Sequence, residues 1–177
     1  MDNAINALLE QAEMYEHRRA FGDSRIQASF EPDMMEHPEQ YRGEYDKESG
    51  ILTLCFEVKG TRYEGRTERL EYVSVGERLT VRRDAENKYN SNNFLLDGVR
   101  EENLGTLPAE LCNGLAPLYD NGTAEVICCK VSYLEPITKR SRYAKQAILF
   151  VELKIRLVFD KTTDMSNPNN TCSLSFV

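Results

Sequence analysis

Histidines and the usual catalytic motifs are scarce in this sequence. Its 177 residues include two histidines, His17 and His37, both within the first 50 positions. A Ser–His or Cys–His pair for nucleophilic catalysis is therefore poorly supported. Gly60 and Gly65 lie among strand-like residues and form no phosphate-binding loop before a helix, and no Gly-x-Ser-x-Gly elbow occurs. We therefore predict that the chain is not an enzyme.

Cysteine spacing and the lack of long apolar runs argue against a metal-binding protein and against a membrane protein. The five cysteines are odd in number and include no C-x-x-C pair, so we expect buried free thiols, with no metal site and no cofactor. No apolar run approaches the roughly 18 residues of a membrane helix, and the first residues do not resemble a secretory signal. These features predict a cytoplasmic protein without a membrane partner, and they leave its oligomeric state open.

Acidic residues outnumber basic ones, but the excess is confined to one part of the chain. The net charge is −7, and residues 1–50 hold 5 Lys and Arg against 12 Asp and Glu. Residues 51–177 hold 17 of each kind. A neutral domain can still present a local basic face, so the total charge does not exclude a nucleic-acid partner.

Residues 1–50 have the pattern of an acidic N-terminal helix followed by a linker. Apolar residues recur at helical spacing, and the helix is expected to stop near Gly22. They are Ile5, Leu8, Leu9, Ala12 and Tyr15. This stripe favours packing against the main domain, with self-association as the alternative. Residues 23–49 lack periodicity and are predicted to form an irregular linker.

Residues 51–159 have the pattern of a mainly β domain with a flanking helix. Alternating apolar and polar residues predict six short strands, one with a bulge near Cys128, and Pro108 opens a helix. The predicted strands cover 51–58, 70–75, 78–83, 94–96, 123–133 and 146–159. Closing them into a small antiparallel barrel would remove their exposed edges. Residues 160–177 are predicted to be a polar C-terminal tail.

Three stretches of this domain combine cations with tyrosine. Residues 59–69 place Tyr63 among basic residues, residues 82–89 end in Lys88-Tyr89, and residues 139–145 hold four cations and Tyr143. Such stretches suit single-stranded nucleic acid, because cations follow the phosphates and flat rings stack on bases. Each stretch alone also has the composition of an ordinary charged surface loop. Three of them at strand ends favour a shared binding mouth.

The order of motifs after residue 79 resembles the HIRAN domain. A strand ends in the corner Asn87-Lys88-Tyr89-Asn90, a second strand follows, and Leu104-Gly105-Thr106-Leu107-Pro108 opens a helix. The resemblance covers about Ile51 to Phe159. It implies a small OB-like antiparallel barrel with flanking helices, in agreement with the strand pattern.

The resemblance also implies a site for the 3′ end of single-stranded DNA. Gly60-Thr61-Arg62-Tyr63 would lie on the first barrel strand, with Arg62 on a phosphate and Tyr63 under a terminal base. In the corner, Asn87 would hydrogen-bond the DNA and Tyr89 would pack on the terminal nucleotide. Tyr143 is the candidate for an aromatic residue before the last strand. The predicted nucleic-acid-binding residues are Arg62, Tyr63, Arg66, Arg83, Asn87, Lys88, Tyr89, Asn90, Arg140, Arg142 and Tyr143.

These observations support two hypotheses of function. The first is a non-catalytic module that binds single-stranded DNA, expected at 3′ ends, in DNA repair or replication-fork processing. A helicase or nuclease on another chain is a candidate partner. The alternative is a protein-interaction or regulatory module, bacterial or phage, that kept the barrel and lost DNA affinity. In either case the acidic residues 1–50 could compete with DNA for the basic groove, or simply aid solubility.

The corner residues predict weak selectivity between a 3′-hydroxyl and a 3′-phosphate at the end of a DNA strand. The HIRAN pattern places Asp, which accepts a hydrogen bond from a free 3′-hydroxyl, where this chain has Asn90. An amide oxygen can accept, but it lacks the charge that makes such bonds roughly twice as strong, and it does not repel a phosphate. We expect oligonucleotides ending in 3′-hydroxyl and in 3′-phosphate to differ little in affinity in a fluorescence titration. A strong preference for the hydroxyl would contradict this prediction.

Overall fold

The computed structural model of the chain describes residues 2–21 and 37–158. Gly22, most of the predicted linker and the predicted tail over 160–177 lie outside these residues. No helix within the two ranges is long and apolar enough to cross a membrane. The elements are α1 (Asp2–Phe21), β1 (Arg42–Asp46), β2 (Ile51–Glu57), α2 (Arg66–Arg69), β3 (Thr80–Asp84), β4 (Asn93–Asp97), β5 (Asn103–Thr106), α3 (Ala109–Asp120), β6 (Ala124–Glu135) and β7 (Ile148–Leu157). Single 3-10 turns lie at Pro38–Gln40, Leu70–Tyr72 and Ile137–Lys139.

The strands form two antiparallel sheets, in the orders β1-β2-β7-β6 and β3-β4-β5. The sheets meet at two isolated bridges. At one, Lys59 and Thr106 exchange backbone hydrogen bonds of 3.0 and 2.9 Å, and near the other Leu79 N–H donates to the Cys129 carbonyl over 2.8 Å. The mainly β, antiparallel fold with flanking helices is therefore confirmed. The predicted barrel takes the form of two bridged sheets rather than one closed sheet.

The core lies between the sheets and under the two longer helices. Leu52, Leu54 and Phe56 of β2 are fully buried, as their alternation in the sequence predicts. On β7, Phe150 and Leu153 are fully buried as well. Each such side chain contributes roughly 1.5–3 kcal/mol when it leaves water. The β6–β7 register shifts between Val126 and Cys128, which confirms the predicted bulge.

Helix α1 buries its apolar stripe against this core. Leu8, Ala12 and Tyr15 are each less than 5% exposed, which confirms that the stripe packs on the main domain. The helix contacts β1 and α3, with Leu8 and Ala7 facing Gly114 of α3. Strand β1 is the outer strand of the larger sheet, so α1 covers an edge that would otherwise be open.

Several predictions of local structure are wrong. The linker predicted for 23–49 contains strand β1, whose less exposed positions are Gly43 and Tyr45, so its sequence shows almost no apolar alternation. The strand predicted for 70–75 is a 3-10 turn that continues helix α2, since left-handed Gly65 (φ 76°) turns the chain into a helix. The segment from Leu104 to Thr106, expected to open a helix, instead belongs to strand β5, where Leu104 and Gly105 are buried in the smaller sheet.

Gly43 in β1 is the point where helix α1 comes closest to the sheet. A Cβ atom at this position would lie 1.8 Å from the backbone oxygen of Ala12, so only glycine fits. The Gly43 N–H donates to Glu16 Oε2 over 3.0 Å, which satisfies a backbone donor that faces α1 rather than β2. The docking of the N-terminal helix therefore depends on this one glycine.

We expect the Gly43→Ala substitution to lower the free energy of unfolding by at least about 2 kcal/mol, because the methyl group collides with backbone that cannot turn aside. Chemical denaturation measures this loss. Gly114→Ala is the matched control, since its Cβ would meet Leu8 Cδ2 at 3.3 Å and could displace a side chain. Alanine also suits a helix interior, so the control should change stability by less than about 1 kcal/mol. Equal denaturation midpoints for both variants would refute the prediction.

Candidate nucleic-acid interface

The corner between β3 and β4 is a turn held together by hydrogen bonds from asparagine side chains within it. The Asn87 side-chain oxygen accepts hydrogen bonds from the N–H groups of Tyr89 and Asn90, both at 3.0 Å. Its amide nitrogen donates to Asp84 Oδ2 over 3.0 Å, and Asn93 donates to the same oxygen over 3.1 Å. Short side chains that bond their own backbone in this way are typical of tight turns. Asn87 therefore shapes the corner that presents Tyr89.

Helix α3 supports the far side of the same corner. Asn90 Nδ2 donates to Asn113 Oδ1 over 3.2 Å, and Asn92 Nδ2 donates to the same oxygen over 3.3 Å. The Asn90 side-chain oxygen accepts from the Asn92 N–H over 3.0 Å. Both ends of the Asn90 amide thus have protein partners, and Tyr89 between these anchors is 95% exposed.

The second aromatic side chain comes from the turn after β2. Gly60, Glu64 and Gly65 all have left-handed φ values, between 58° and 76°. These residues fold the chain into consecutive turns. In the first turn, the Tyr63 N–H donates a hydrogen bond to the Gly60 carbonyl over 3.2 Å. The expectation that Gly60 to Tyr63 lies on a strand is therefore wrong, because left-handed backbone cannot continue a strand. Tyr63 stands 61% exposed on this turn.

The two turns meet at a pocket of about 750 Å³. Tyr63 and Tyr89, 26 positions apart in the sequence, both line it. Five predicted residues share the pocket, namely Tyr63, Arg66, Asn87, Tyr89 and Asn90. Its other lining residues are Lys59, Glu64, Asn93, Leu95, Thr106, Leu107 and Ala109. Two exposed aromatic rings, a lysine and a row of amides make a lining suited to a base and a phosphate.

Three of the predicted arginines are held by protein partners. Arg66 is 8% exposed, and it donates to Asn103 Oδ1 over 2.6 Å and to the Gly60 carbonyl over 3.0 Å. Arg83 makes a bidentate pair with Asp120, at 3.0 Å for each bond, and this pairing raises the pKa of Arg83. Arg140 donates to the Gln146 carbonyl over 2.8 Å. Each guanidinium would have to leave these partners to contact a phosphate.

The remaining predicted residues lie outside the pocket. Arg62 and Lys88 are exposed next to the two pocket tyrosines, and Arg62 lies 5.9 Å from the centre of the Tyr63 ring. Arg142 and Tyr143 pair with each other, with a 2.8 Å hydrogen bond between them. Their loop is anchored beside the Tyr63 turn, because Thr61 donates to the Ala147 carbonyl over 3.0 Å. The third cationic stretch is therefore a neighbour of the pocket rather than part of its wall.

Sequence reasoning missed several residues that line the pocket. Lys59 belongs to the first cationic stretch, so composition already pointed to it. Thr106 and Leu107 carry no such signal, since they reach the pocket only through the bridge between Lys59 and Thr106. Within residues 2–21 and 37–158, no three side chains cluster as ligands for a metal ion. The pocket thus offers aromatic rings for stacking, amides for hydrogen bonding and the cation Lys59. Its other two charged residues neutralise each other, since Glu64 lies 3.1 Å from Arg66.

The two bridged sheets form a small β domain with an aromatic pocket on its loops. Residues 51–152 match the family model of the HIRAN domain. The chain belongs to the HIRAN family, as the motif order in its sequence indicated. Residues 2–21 and strand β1 lie outside the matched segment, although they pack against it. No curated protein sequence matches the chain significantly.

Solved HIRAN domains are among the structures similar to this one. The crystal structure of the HIRAN domain of human HLTF is 21% identical with a TM-score of 0.42, and the match covers 69% of this chain and 85% of that one. The HLTF HIRAN domain in its DNA-bound conformation, solved by NMR, is 20% identical with a TM-score of 0.38 and coverage of 70% and 82%. A protein from Lactobacillus plantarum is 20% identical with a TM-score of 0.45 and coverage of 60% and 99%.

The partners of Arg66 predict that it stabilises the fold more than its exposed neighbour Arg62 does. In the Arg66→Met variant, the partly buried acceptors on Gly60 and Asn103 lose their donor, which should cost about 1–3 kcal/mol of unfolding free energy. Arg62→Met makes the same chemical change at an exposed site and should cost less than about 0.5 kcal/mol. Denaturation curves compare the two. If both variants unfold at the same denaturant concentration, Arg66 has no structural role.

Proposed function

We propose that this chain is a non-catalytic module that binds single-stranded DNA at its 3′ end, with the terminal nucleotide in the pocket between Tyr63 and Tyr89. One observation carries the proposal: two turns far apart in the sequence bring exposed phenol rings and Lys59 to a single pocket of about 750 Å³. A volume of this size accommodates a nucleotide.

Physical chemistry and family membership both support the proposal. Stacking of one base on an aromatic side chain contributes roughly 1–3 kcal/mol, and it does not depend strongly on sequence because every base has a flat face. Lys59 supplies a charge for the backbone without a carboxylate partner in the pocket, since Glu64 pairs with Arg66. The chain belongs to the HIRAN family, and the HIRAN domain of HLTF has been solved in a DNA-bound conformation.

The proposed role is in DNA repair or replication-fork processing. A module of this kind would bring a helicase or nuclease on another chain to a strand end. The cationic loop that holds Arg142 and Tyr143 lies beside the pocket turn and would contact the strand further from its end. Arg62 and Lys88, exposed beside the two tyrosines, would contact phosphates.

We expect the double substitution Tyr63→Ala/Tyr89→Ala to weaken binding of a labelled 3′-overhang by at least about tenfold, because two stacking surfaces are lost. Fluorescence anisotropy measures the affinity. Tyr72→Ala is the matched control, since Tyr72 is 75% exposed and does not line the pocket. The control should bind like the wild type.

Binding of the wild type should weaken as salt rises, because phosphate contacts release counterions. Equal affinity of the wild type and the double variant would contradict the pocket assignment. Failure of the wild type to bind DNA at low salt would instead favour the protein-interaction module.

A further inference from the structure

A second pocket of about 300 Å³ lies between the N-terminal helix and the HIRAN core. Helix α1 supplies one wall, Tyr41 and β2 supply another, and the start of α3 closes it. The lining residues from α1 are Gln11, Met14, Tyr15 and Arg18. Because α1 and Tyr41 lie outside the segment that matches the family model, half of the pocket lining comes from residues beyond the matched segment. Its volume is at the lower end for a small-molecule site.

The walls of this pocket are aromatic. The Tyr15 and Tyr41 rings have centroids 5.6 Å apart, and Tyr15 and Phe56 stack with centroids 5.7 Å apart. The Arg18 guanidinium lies 5.2 Å from the centre of the Tyr41 ring. Flat rings and a flat guanidinium favour a flat ligand, because stacked contact needs parallel planes.

The Tyr15 hydroxyl is the feature that points to a ligand. Tyr15 is 98% buried, yet no described residue meets its hydroxyl at hydrogen-bonding geometry. The Gln11 amide is close enough to act on the pKa of Tyr15 but does not complete a hydrogen bond. Burial raises the pKa of Tyr15, so the phenol stays protonated and can donate. Buried polar groups normally have partners, so an unpartnered donor in a residue that lines a pocket indicates a ligand acceptor that would complete it.

The charges around the pocket limit the class of ligand. Two cations, Arg18 and Lys59, are balanced by two acids, Glu57 and Glu110. A balanced lining does not favour a highly charged ligand such as a nucleoside triphosphate. The Gln11 amide is 9% exposed and can donate and accept side by side, as glutamine does when it pairs with the edge of a base.

We propose that this second pocket binds a nucleobase, with its edge on Gln11 and the Tyr15 hydroxyl and its ring among Tyr41 and Arg18. The pocket adjoins the first one, since Lys59 lines both, and Pro108 and Glu110 line this pocket while Ala109 between them lines the first. The base could therefore come from a free nucleoside or from the strand held in the first pocket. The second source rests on the proposed function.

The Tyr15→Phe variant tests the proposal because it removes one oxygen and keeps the ring. Its thermal stability should equal or exceed that of the wild type, since no described residue forms a hydrogen bond with the hydroxyl. Titrations with adenosine, guanosine, cytidine and thymidine, followed by NMR shifts of the Gln11 amide, should show binding. The variant should weaken it by roughly three- to tenfold. Ribose is the base-free probe and should not bind.

The control and the second arm separate the two sources of the base. Tyr45→Phe makes the same chemical change on β1 outside the pocket and should leave binding unchanged. If nucleosides fail to bind but Tyr15→Phe weakens oligonucleotide binding, the base comes from the strand. If the variant changes neither, or if it loses stability like a structural hydroxyl, the proposal is overturned. If the Tyr63→Ala/Tyr89→Ala variant loses oligonucleotide binding and Tyr15→Phe does not affect any binding, the first pocket is supported and the second is refuted.

Discussion

The backbone pair between Lys59 and Thr106 is the contact on which the site depends. Strand β2 belongs to the larger sheet and β5 to the smaller one. Lys59, just beyond the end of β2, and Thr106, the last residue of β5, exchange backbone hydrogen bonds. Gly105 makes the approach possible, because a Cβ atom there would lie 2.7 Å from the Lys59 carbonyl oxygen and 2.5 Å from Val58. Both bridge residues also line the first pocket. The junction of the sheets therefore also forms part of the lining of the first pocket.

Around this junction, polar side chains are used to hold loops rather than to fill the core. Asp84 receives two asparagine amides, Asn113 receives two more, and Arg66 ties the Tyr63 turn to Asn103. The rings of Tyr63 and Tyr89 remain exposed while their backbones are anchored. Such preorganisation lowers the entropy lost when a ligand orders the loops.

Much of the fold was predictable, and the failures have physical causes. Helix α1 and strands β2, β4, β6 and β7 were identified from their sequence patterns, since α1 has apolar residues at helical spacing and the strands have apolar runs or alternation. Strands β1 and β5 did not, because one is a polar outer strand and the other is four residues long around Gly105. Arg66 and Arg83 seemed available for phosphate from composition alone. Their acceptors, Asn103 and Asp120, each lie 37 positions away in the sequence, so no local pattern reveals these pairings.

Sequence alone determined the class of the domain, its motif order and the residues able to stack or carry charge, since those properties belong to side chains and to local periodicity. Tertiary structure decided which of them share a pocket, which arginines are already paired, and that the N-terminal helix builds a second pocket. Those outcomes depend on contacts between distant segments, where one glycine or one backbone pair sets the distance. A sequence pattern does not show which distant residues lie close together in the folded protein.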